Sequence, residues 1–310
     1  MKQRLLITGP MYPQTLAEIE RTYDAQRLWS APDKEALLAS MADITAVASS
    51  NSGGINGATM AKLPKLKTIA HFGVGYDTVD VDAARKRGIA VTNTPDVLTE
   101  EVADLALALL LAAIRRVPQG DRYVRDGKWL KGAMPLTESL QGRTVGIVGM
   151  GRIGRAIARR CEAFGVKLAY QGPSHKSELK WPYYQDPVRL ATDCDVLIVA
   201  CPGGEATRGL VSREVIDALG PKGFLVNIAR GTVIDEPALL EALQQGRICG
   251  AGLDVFADEP RVPEAFFALE NVVLQPHVAS ATHPTRTAMG QLVLDNLAAH
   301  FAGKPLVTPI

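Results

Sequence analysis

Apolar residues follow two rhythms along this chain. Short β-branched runs with the length of buried strands alternate with longer stretches in which apolar positions recur every three or four residues, as on one face of a helix. In the first third the strand-like runs are RLLITG (4–9), ITAVASS (44–50), LKTIAHFG (66–73) and IAVTN (89–93). Between them QTLAEIERTY (14–23) and DKEALLASMA (33–42) read as helices. A second block brings TVGIVG (144–149), VKLAY (166–170), DVLIVAC (195–201), GFLVNIA (223–229), GAGLDVF (250–256) and NVVLQ (271–275). A final helical pattern at 284–303 has no strand after it. Strand–helix alternation of this kind predicts an α/β fold with parallel sheets.

Two segments break the rhythm. At TPDVLTE (94–100), Thr99 is placed to cap the next helix, and Glu100 and Glu101 suit the positive end of its dipole. The segment 116–143, with Pro118, Gly120, Gly127, Trp129, Gly132 and Pro135, reads as irregular. A connector of that length is either functional or an interaction arm.

Composition narrows the class. A chain of 310 residues is long for one core and implies two domains. Its 47% apolar and 22% charged residues are those of a globular protein, and a net charge of +1 gives no case for nucleic acid or a membrane surface. Cys161, Cys194, Cys201 and Cys249 are scattered without metal-ligand spacing, so no metal site is expected. They read as reduced core residues of a cytosolic protein. The N-terminal apolar run stops at Thr8, Gly9 and Pro10, too short for a signal-peptide core. The apolar stretch 102–114 falls short of the ~20 residues that span a bilayer and contains Asp104, so it is expected as a buried helix.

The first chemical signal is TVGIVGMGRIGRAIARR (144–160), which sets Gly149, Gly151 and Gly154 in the spacing G-x-G-x-x-G between a strand and a helix. In that context Gly149 permits the tight turn, Gly151 lets a pyrophosphate approach the backbone, and Gly154 lets helix and strand pack. The helix N–H groups and dipole face the anion. Arg152 either adds charge there or is a solvated surface residue.

The second signal is repeated three times. GFLVNIARG ends in Arg230, GLDVFADEP leads to Glu259, and VVLQPHVAS leads to His277. Each alone reads equally well as surface charge, a cap, or a histidine closing a strand. Together, at the edge of an α/β sheet where ligands bind, they suit a carbonyl/alcohol couple. A histidine titrating near neutrality can give the proton an alkoxide needs, a paired carboxylate favours imidazolium, and an arginine can hold a carboxylate while polarising the carbonyl.

The third signal is an absence. NAD enzymes of this type carry an Asp or Glu at the end of the second strand, on the ribose hydroxyls. Here that strand is followed by Gln171, Gly172, Pro173, Ser174, His175 and Lys176, with no carboxylate before Glu178. A 2′-phosphate would not be repelled, and Ser174, His175 and Lys176 could bond it. NADP is therefore expected to be preferred, with NAD still accepted; a loop indifferent to the phosphate is the competing reading.

In order, GMGRIG, NIARG, GLDVFADEP and QPHVAS resemble the D-isomer-specific 2-hydroxyacid dehydrogenases, as do HFGVGYD (71–77) and VTNTPDVLTEEVADLALALLL (91–111). The phrases EVIDALGPKG and HFAGKPL are similar to its glyoxylate/hydroxypyruvate and hydroxyphenylpyruvate reductase branch. The resemblance implies two doubly wound parallel-sheet domains with a cleft between them. Residues 1–98 plus 281–310 would form a flavodoxin-like substrate domain, and 99–280 a Rossmann cofactor domain.

It further implies catalysis by Arg230, Glu259 and His277, and substrate-carboxylate binding by the N–H groups of Val74 and Gly75. Glycines 73 and 75 flanking Val74 fit that reading, though a plain strand-ending turn competes. Ser50 and Asn51 would line the pocket, with an ordinary turn role as the alternative. Besides Gly149, Gly151, Arg152, Gly154 and the 171–176 loop, implied cofactor contacts are Thr99, Met150, Ile153, Pro202, Thr207, Ile228, Ala229, Asp254 and Ser280.

Departures from the family pattern are Gly203 and Gly204, where leucine and threonine are more usual, and Pro173, where NADPH-preferring relatives often carry arginine. The 116–143 arm resembles the family's dimerisation segment, so a homodimer is expected, with Trp129 either packing in the interface or reaching the partner's site. The implied activity is reduction of small 2-keto acids such as glyoxylate or hydroxypyruvate to D-2-hydroxy acids, with His277 as proton donor. Aryl pyruvates are the alternative substrates. A cofactor-sensing binding protein is the alternative of another class, which the intact Arg–Glu–His set argues against. Formate dehydrogenases fit poorly, having glutamine where Glu259 stands.

Overall fold

The computed structural model describes residues 2–310. They form two compact units, residues 2–98 with 280–310, and residues 99–279.

The first unit is built on five strands, β1 (Arg4–Ile7), β2 (Asp24–Arg27), β3 (Ala46–Ser50), β4 (Thr68–Phe72) and β5 (Ala90–Thr92). All pair in parallel, in the order β2-β1-β3-β4-β5, which is the flavodoxin-like arrangement. β3 and β4 are buried throughout because helices cover the sheet, so their sequences show no apolar/polar alternation. One core cluster gathers Leu6, Met41, Val47, Met60 and Ile69. The helix His283–Phe301 packs against β3 and β4. At Gly290 a Cβ would lie 1.8 Å from Thr15 Oγ1, so glycine is what lets this helix approach the helix Pro13–Thr22. β2 was not among the expected strands: DAQR is a mostly exposed edge with no apolar rhythm to betray it.

The second unit has seven parallel strands, β6 (Thr144–Val148), β7 (Lys167–Gln171), β8 (Tyr183–Tyr184), β9 (Val196–Val199), β10 (Phe224–Asn227), β11 (Gly250–Leu253) and β12 (Val272–Leu274). Their order, β12-β11-β10-β9-β6-β7-β8, reverses direction between β6 and β9. That is the Rossmann switch point, where nucleotides bind. β8 escaped notice because two residues carry no period. The helix Thr99–Arg115 packs on β10 and β11, brought close at Gly252, where a Cβ would stand 2.9 Å from Leu109 Cβ.

Three expectations are corrected here. Thr99 is the first residue of its helix rather than a cap ahead of it. The 116–143 arm is not irregular throughout: it contains a helix at Val117–Arg125 and a 3₁₀ turn at Lys128–Lys131. The helix VPQGDRYVR has three apolar positions, Val117, Tyr123 and Val124, too few to show a face, and Pro118 sits in the first turn where its missing N–H costs nothing. Val117, Val124, Trp129, Leu130 and Leu136 of the arm are exposed. Finally, Cys249 is only half-buried, whereas Cys161, Cys194 and Cys201 lie in the core as free thiols. Burial pushes the Cys161 and Cys194 thiols up to about 12 and Cys201 to about 11. Among the described residues no helix is long and apolar enough to cross a membrane, and no His, Cys, Asp and Glu cluster could hold a metal.

Candidate active site

β6 passes into the helix Arg152–Glu162 through the glycine turn. Gly149 adopts φ 98°, and a Cβ there would fall 2.5 Å from the backbone of Cys201. A Cβ on Gly154 would fall 2.2 Å from the Gly149 carbonyl oxygen. Packing therefore dictates both. Gly151, at the helix N-cap, has nothing within 4 Å of the position a Cβ would take. Open space over bare backbone at a helix N-terminus is the cradle a dinucleotide pyrophosphate requires, and the residues present fit that group. Arg152 is exposed and Ile153 half-buried at the same end, while Met150 is buried, which leaves only its backbone to face a ligand.

The loop after β7 is pinned from beneath. Gln171 is buried, and its Nε2 donates to the Gln185 carbonyl at 3.4 Å. Tyr183 Oη donates to the Gly172 carbonyl at 3.1 Å, and Lys176 N donates to Tyr170 Oη at 2.8 Å. Pro173, Ser174 and His175 form an exposed crest. Glu178, the nearest carboxylate, is paired with Arg155, whose hydrogen bond holds it below the usual carboxylate range.

At the next loop, Thr207 Oγ1 donates to the Pro202 carbonyl at 2.6 Å, closing a turn over Gly203 and Gly204. Gly204 has φ 119°, a conformation that favours glycine.

The three charged residues follow β10, β11 and β12. β10 ends on Asn227, which is buried; its Oδ1 accepts from Ala229 N and its Nδ2 donates to the Arg230 carbonyl, both at 3.0 Å. These bonds fold the turn that delivers Arg230, whose Nη1 donates to the Ala229 carbonyl at 2.8 Å. At Gly231 a Cβ would fall 1.8 Å from the Phe256 carbonyl carbon, so the Arg230 turn rests directly on the segment leading to Glu259.

After β11, Asp254 is fully buried and grips the His277 turn. Its carbonyl accepts from His277 N at 2.8 Å, and its carboxylate from Val278 N at 2.8 Å and Ala279 N at 3.0 Å. His277 is held at φ 53°, a left-handed conformation uncommon outside glycine. Its Nδ1 lies 2.6 Å from Glu259 Oε2, and Glu259 Oε1 accepts from Phe256 N at 3.0 Å. Burial works to raise the Glu259 carboxyl, but hydrogen bonds from His277 and Phe256 N, with the charges of His277 and Arg230, hold it below its ordinary value. Burial raises Asp254, against the two N–H groups it accepts.

The Glu259 shift has a measurable sign. A carboxyl whose folded pKa lies below its ordinary 4.5 contributes stability that is present above that value and is lost as pH falls through the lower one. The melting-temperature difference between the parent and Glu259→Gln should therefore be present above about 4.5 and shrink on acidification below it. A difference that does not change with pH would show that the carboxylate is not held this way.

In the other unit, Ser50 ends β3, is buried, and meets Ser52 Oγ at 3.1 Å. Asn51, Val74 and Gly75 are half-buried. Asn93 Nδ2 donates to the Val74 carbonyl at 3.0 Å, and His71 Nε2 stands 2.9 Å from Asn51 Oδ1 and 3.1 Å from the Gly75 carbonyl. Neither Gly73 nor Gly75 takes a positive φ. Glycine is needed at 73 for space instead, since a Cβ would approach His71 Nε2 to 2.9 Å.

Sequence reasoning thus missed His71, Asn93 and Asn227, each a polar residue inside or beside an apolar run. Asp254, expected as a cofactor contact, is buried, and its carboxylate accepts the N–H groups of the His277 turn. Ile228 and Ala229 are also buried, Thr99, Thr207 and Ser280 are half-buried, and Pro202 is exposed. Ser280 falls in the unit opposite to the other expected cofactor contacts.

Residues 107–279 match the family model described as D-isomer specific 2-hydroxyacid dehydrogenase, NAD binding domain. Over 307 residues the chain is 48% identical to glyoxylate/hydroxypyruvate reductase A of Arabidopsis thaliana, covering 99% of this chain and 98% of that protein. Hydroxyphenylpyruvate reductase of Plectranthus scutellarioides is equally similar, at 48% over 307 residues with 99% and 98% covered. A solved structure of NADPH-dependent glyoxylate/hydroxypyruvate reductase from Sinorhizobium meliloti, in complex with NADP and malonate, matches with a TM-score of 0.94 at 48% identity. It covers 100% of this chain and 97% of that one.

Proposed function

Because the chain belongs to the D-isomer-specific 2-hydroxyacid dehydrogenase family and is an NAD(P)-dependent oxidoreductase, we propose that it reduces small 2-keto acids, glyoxylate and hydroxypyruvate, to D-2-hydroxy acids. The observation that carries this reading is the 2.6 Å contact between His277 Nδ1 and Glu259 Oε2. A carboxylate only accepts, so the Nδ1 hydrogen is committed to Glu259 and Nε2 is the nitrogen that exchanges a proton with substrate. His277 gives that proton to the oxygen of the reduced carbonyl, and Glu259 fixes the ring's orientation. Arg230 grips the keto acid with its planar fork and polarises the carbonyl oxygen. The N–H groups of Val74 and Gly75 receive the substrate carboxylate, with Ser50 and Asn51 beside them. When bound at the glycine turn, the reduced nicotinamide supplies the hydride.

Loss of the reduced cofactor's near-ultraviolet absorbance with glyoxylate, hydroxypyruvate and phenylpyruvate tests the reading; no turnover of any of them would sink it. The Plectranthus relative, named for an aryl pyruvate and equally similar, favours a second reading in which the phenyl substrate is turned over best.

NADPH is the preferred cofactor in this reading, and NADH is accepted. The exposed crest of Ser174 and His175 lacks a carboxylate, and the Sinorhizobium relative is NADPH-dependent by name. Gln171→Asp, which installs a charge that repels a 2′-phosphate, should shift the ratio of kcat/KM towards NADH. Equal or better efficiency with NADH in the parent would overturn the preference.

The reading also makes the protein a cytosolic homodimer. Five large apolar side chains exposed on one arm need covering, and a two-fold partner is the commonest cover. Light scattering at micromolar concentration should give twice the chain's 33.2 kDa, and a monomer mass would refute the dimer.

A further inference from the structure

We propose that buried His71, as its Nε2–H tautomer, is a positioning residue that gives the candidate substrate loop a rim of donors. It does so by turning the Asn51 amide oxygen and the Gly75 carbonyl inward. The inference rests on the reading of Val74 and Gly75 as the carboxylate site.

His71 lies on β4 with no exposed surface, so both ring nitrogens need partners. Nδ1 stands 2.8 Å from the hydroxyl of Ser49, its register partner on β3. Nε2 meets Asn51 Oδ1 at 2.9 Å and the Gly75 carbonyl at 3.1 Å. A carbonyl can only accept, so Nε2 carries the hydrogen, and in the neutral ring Ser49 donates to Nδ1. An Nε2–H also demands an acceptor from Asn51, which fixes that amide with its oxygen inward and its NH₂ outward.

The loop backbone is oriented by the same logic. In a trans peptide the C=O and the following N–H point in opposite directions. The Gly73 carbonyl accepts from Thr94 N at 2.9 Å, the Val74 carbonyl from Asn93, and the Gly75 carbonyl from His71. With three successive carbonyls turned inward, the N–H groups of Val74, Gly75 and Tyr76 turn outward. None of those three donates to another group among the described residues. Together with the Asn51 NH₂ they form a cluster of donors suited to a carboxylate. Gly73 completes the arrangement, because a Cβ there would also fall 3.2 Å from both Asn51 Oδ1 and the Gly75 oxygen.

The test uses two amides in place of the ring. Glutamine at 71 reaches with its NH₂ to where Nε2 stands; asparagine reaches only to where Nδ1 stands. Both lose the ring's packing. His71→Asn should raise the keto-acid KM about tenfold or more, the loss of a bond to a charged group, with little change in kcat. His71→Gln should stay within about threefold of the parent, and NADPH affinity measured by fluorescence titration should be unchanged in both. Equal KM increases in the two variants would reduce His71 to a packing residue and overturn the proposal. Nitrogen NMR of histidine-labelled parent protein, assigned against the Gln variant, should find Nε2 protonated and Nδ1 bare. An Nδ1–H tautomer would overturn the proposal whatever the variants do. If the parent reduces no keto acid, the functional reading fails alone, and oxalate binding replaces KM: equal affinity in the Asn and Gln variants would then remove the donor rim too.

Discussion

Replacing His277 with alanine is expected to lower kcat for keto-acid reduction by roughly 10²–10⁴-fold, the usual contribution of a positioned acid/base. NADPH affinity should hardly change, because the glycines of the cradle follow β6 and, among the described residues, share no hydrogen bond with the His277 turn. The backbone position adds a cautionary control. His277 sits at φ 53°, a region in which histidine is enriched and alanine is not, so a small loss of melting temperature should accompany the loss of rate. His277→Asn, a residue more at home in the left-handed region, should be as inactive and better folded. Near-parental turnover in either variant, across the accessible pH range, would return this histidine to a role in closing its strand.

Arg230→Lys should be nearly as damaging. The charge survives, but the planar pair of donors does not, and a preorganised donor lost from a developing oxyanion costs roughly 10²–10³-fold in kcat. The Asn227 bonds that shape the turn involve backbone atoms of Ala229 and Arg230, so they persist in the variant. The loss is therefore one of chemistry rather than of loop placement. KM should rise as well, since the same fork holds the substrate in the ground state. A fully active lysine variant, measured by kcat and KM for glyoxylate and hydroxypyruvate, would contradict the two-pronged grip.

The sequence showed the parts of this molecule that depend on burial. β3, β4, β6, β9 and β10 are covered on both faces, and their apolar runs were unmistakable. So was the glycine turn, because Gly149 and Gly154 are demanded by contacts of 2.5 and 2.2 Å that no other residue could make. Arg230, Glu259 and His277 were legible from their place just beyond three apolar strands.

What stayed hidden depends on partners distant in sequence. β2 is an edge whose side chains face water. The helix Val117–Arg125 exposes even its apolar residues, so no face was there to read. Asp254, His71 and Asn227 each looked like one polar letter in an apolar word. Their work is done on main-chain atoms, whose positions composition does not reveal. Asp254 in particular is 24 and 25 residues from the N–H groups it holds, a pairing only the folded sheet creates.

The order of the chain has a consequence for biosynthesis. The helix Thr99–Arg115 through Ala279 is one unbroken stretch, so that unit has every strand it needs before the last helix leaves the ribosome. The first unit emerges earlier yet waits longer, because β3 and β4 are covered by residues His283–Phe301. Until then the apolar side of the older sheet is open to solvent and to chaperones. The usual sequence of N-terminal folding first is inverted here. A chain truncated after Ala281 and released from the ribosome should carry a protease-resistant later unit behind an earlier one that is still digestible.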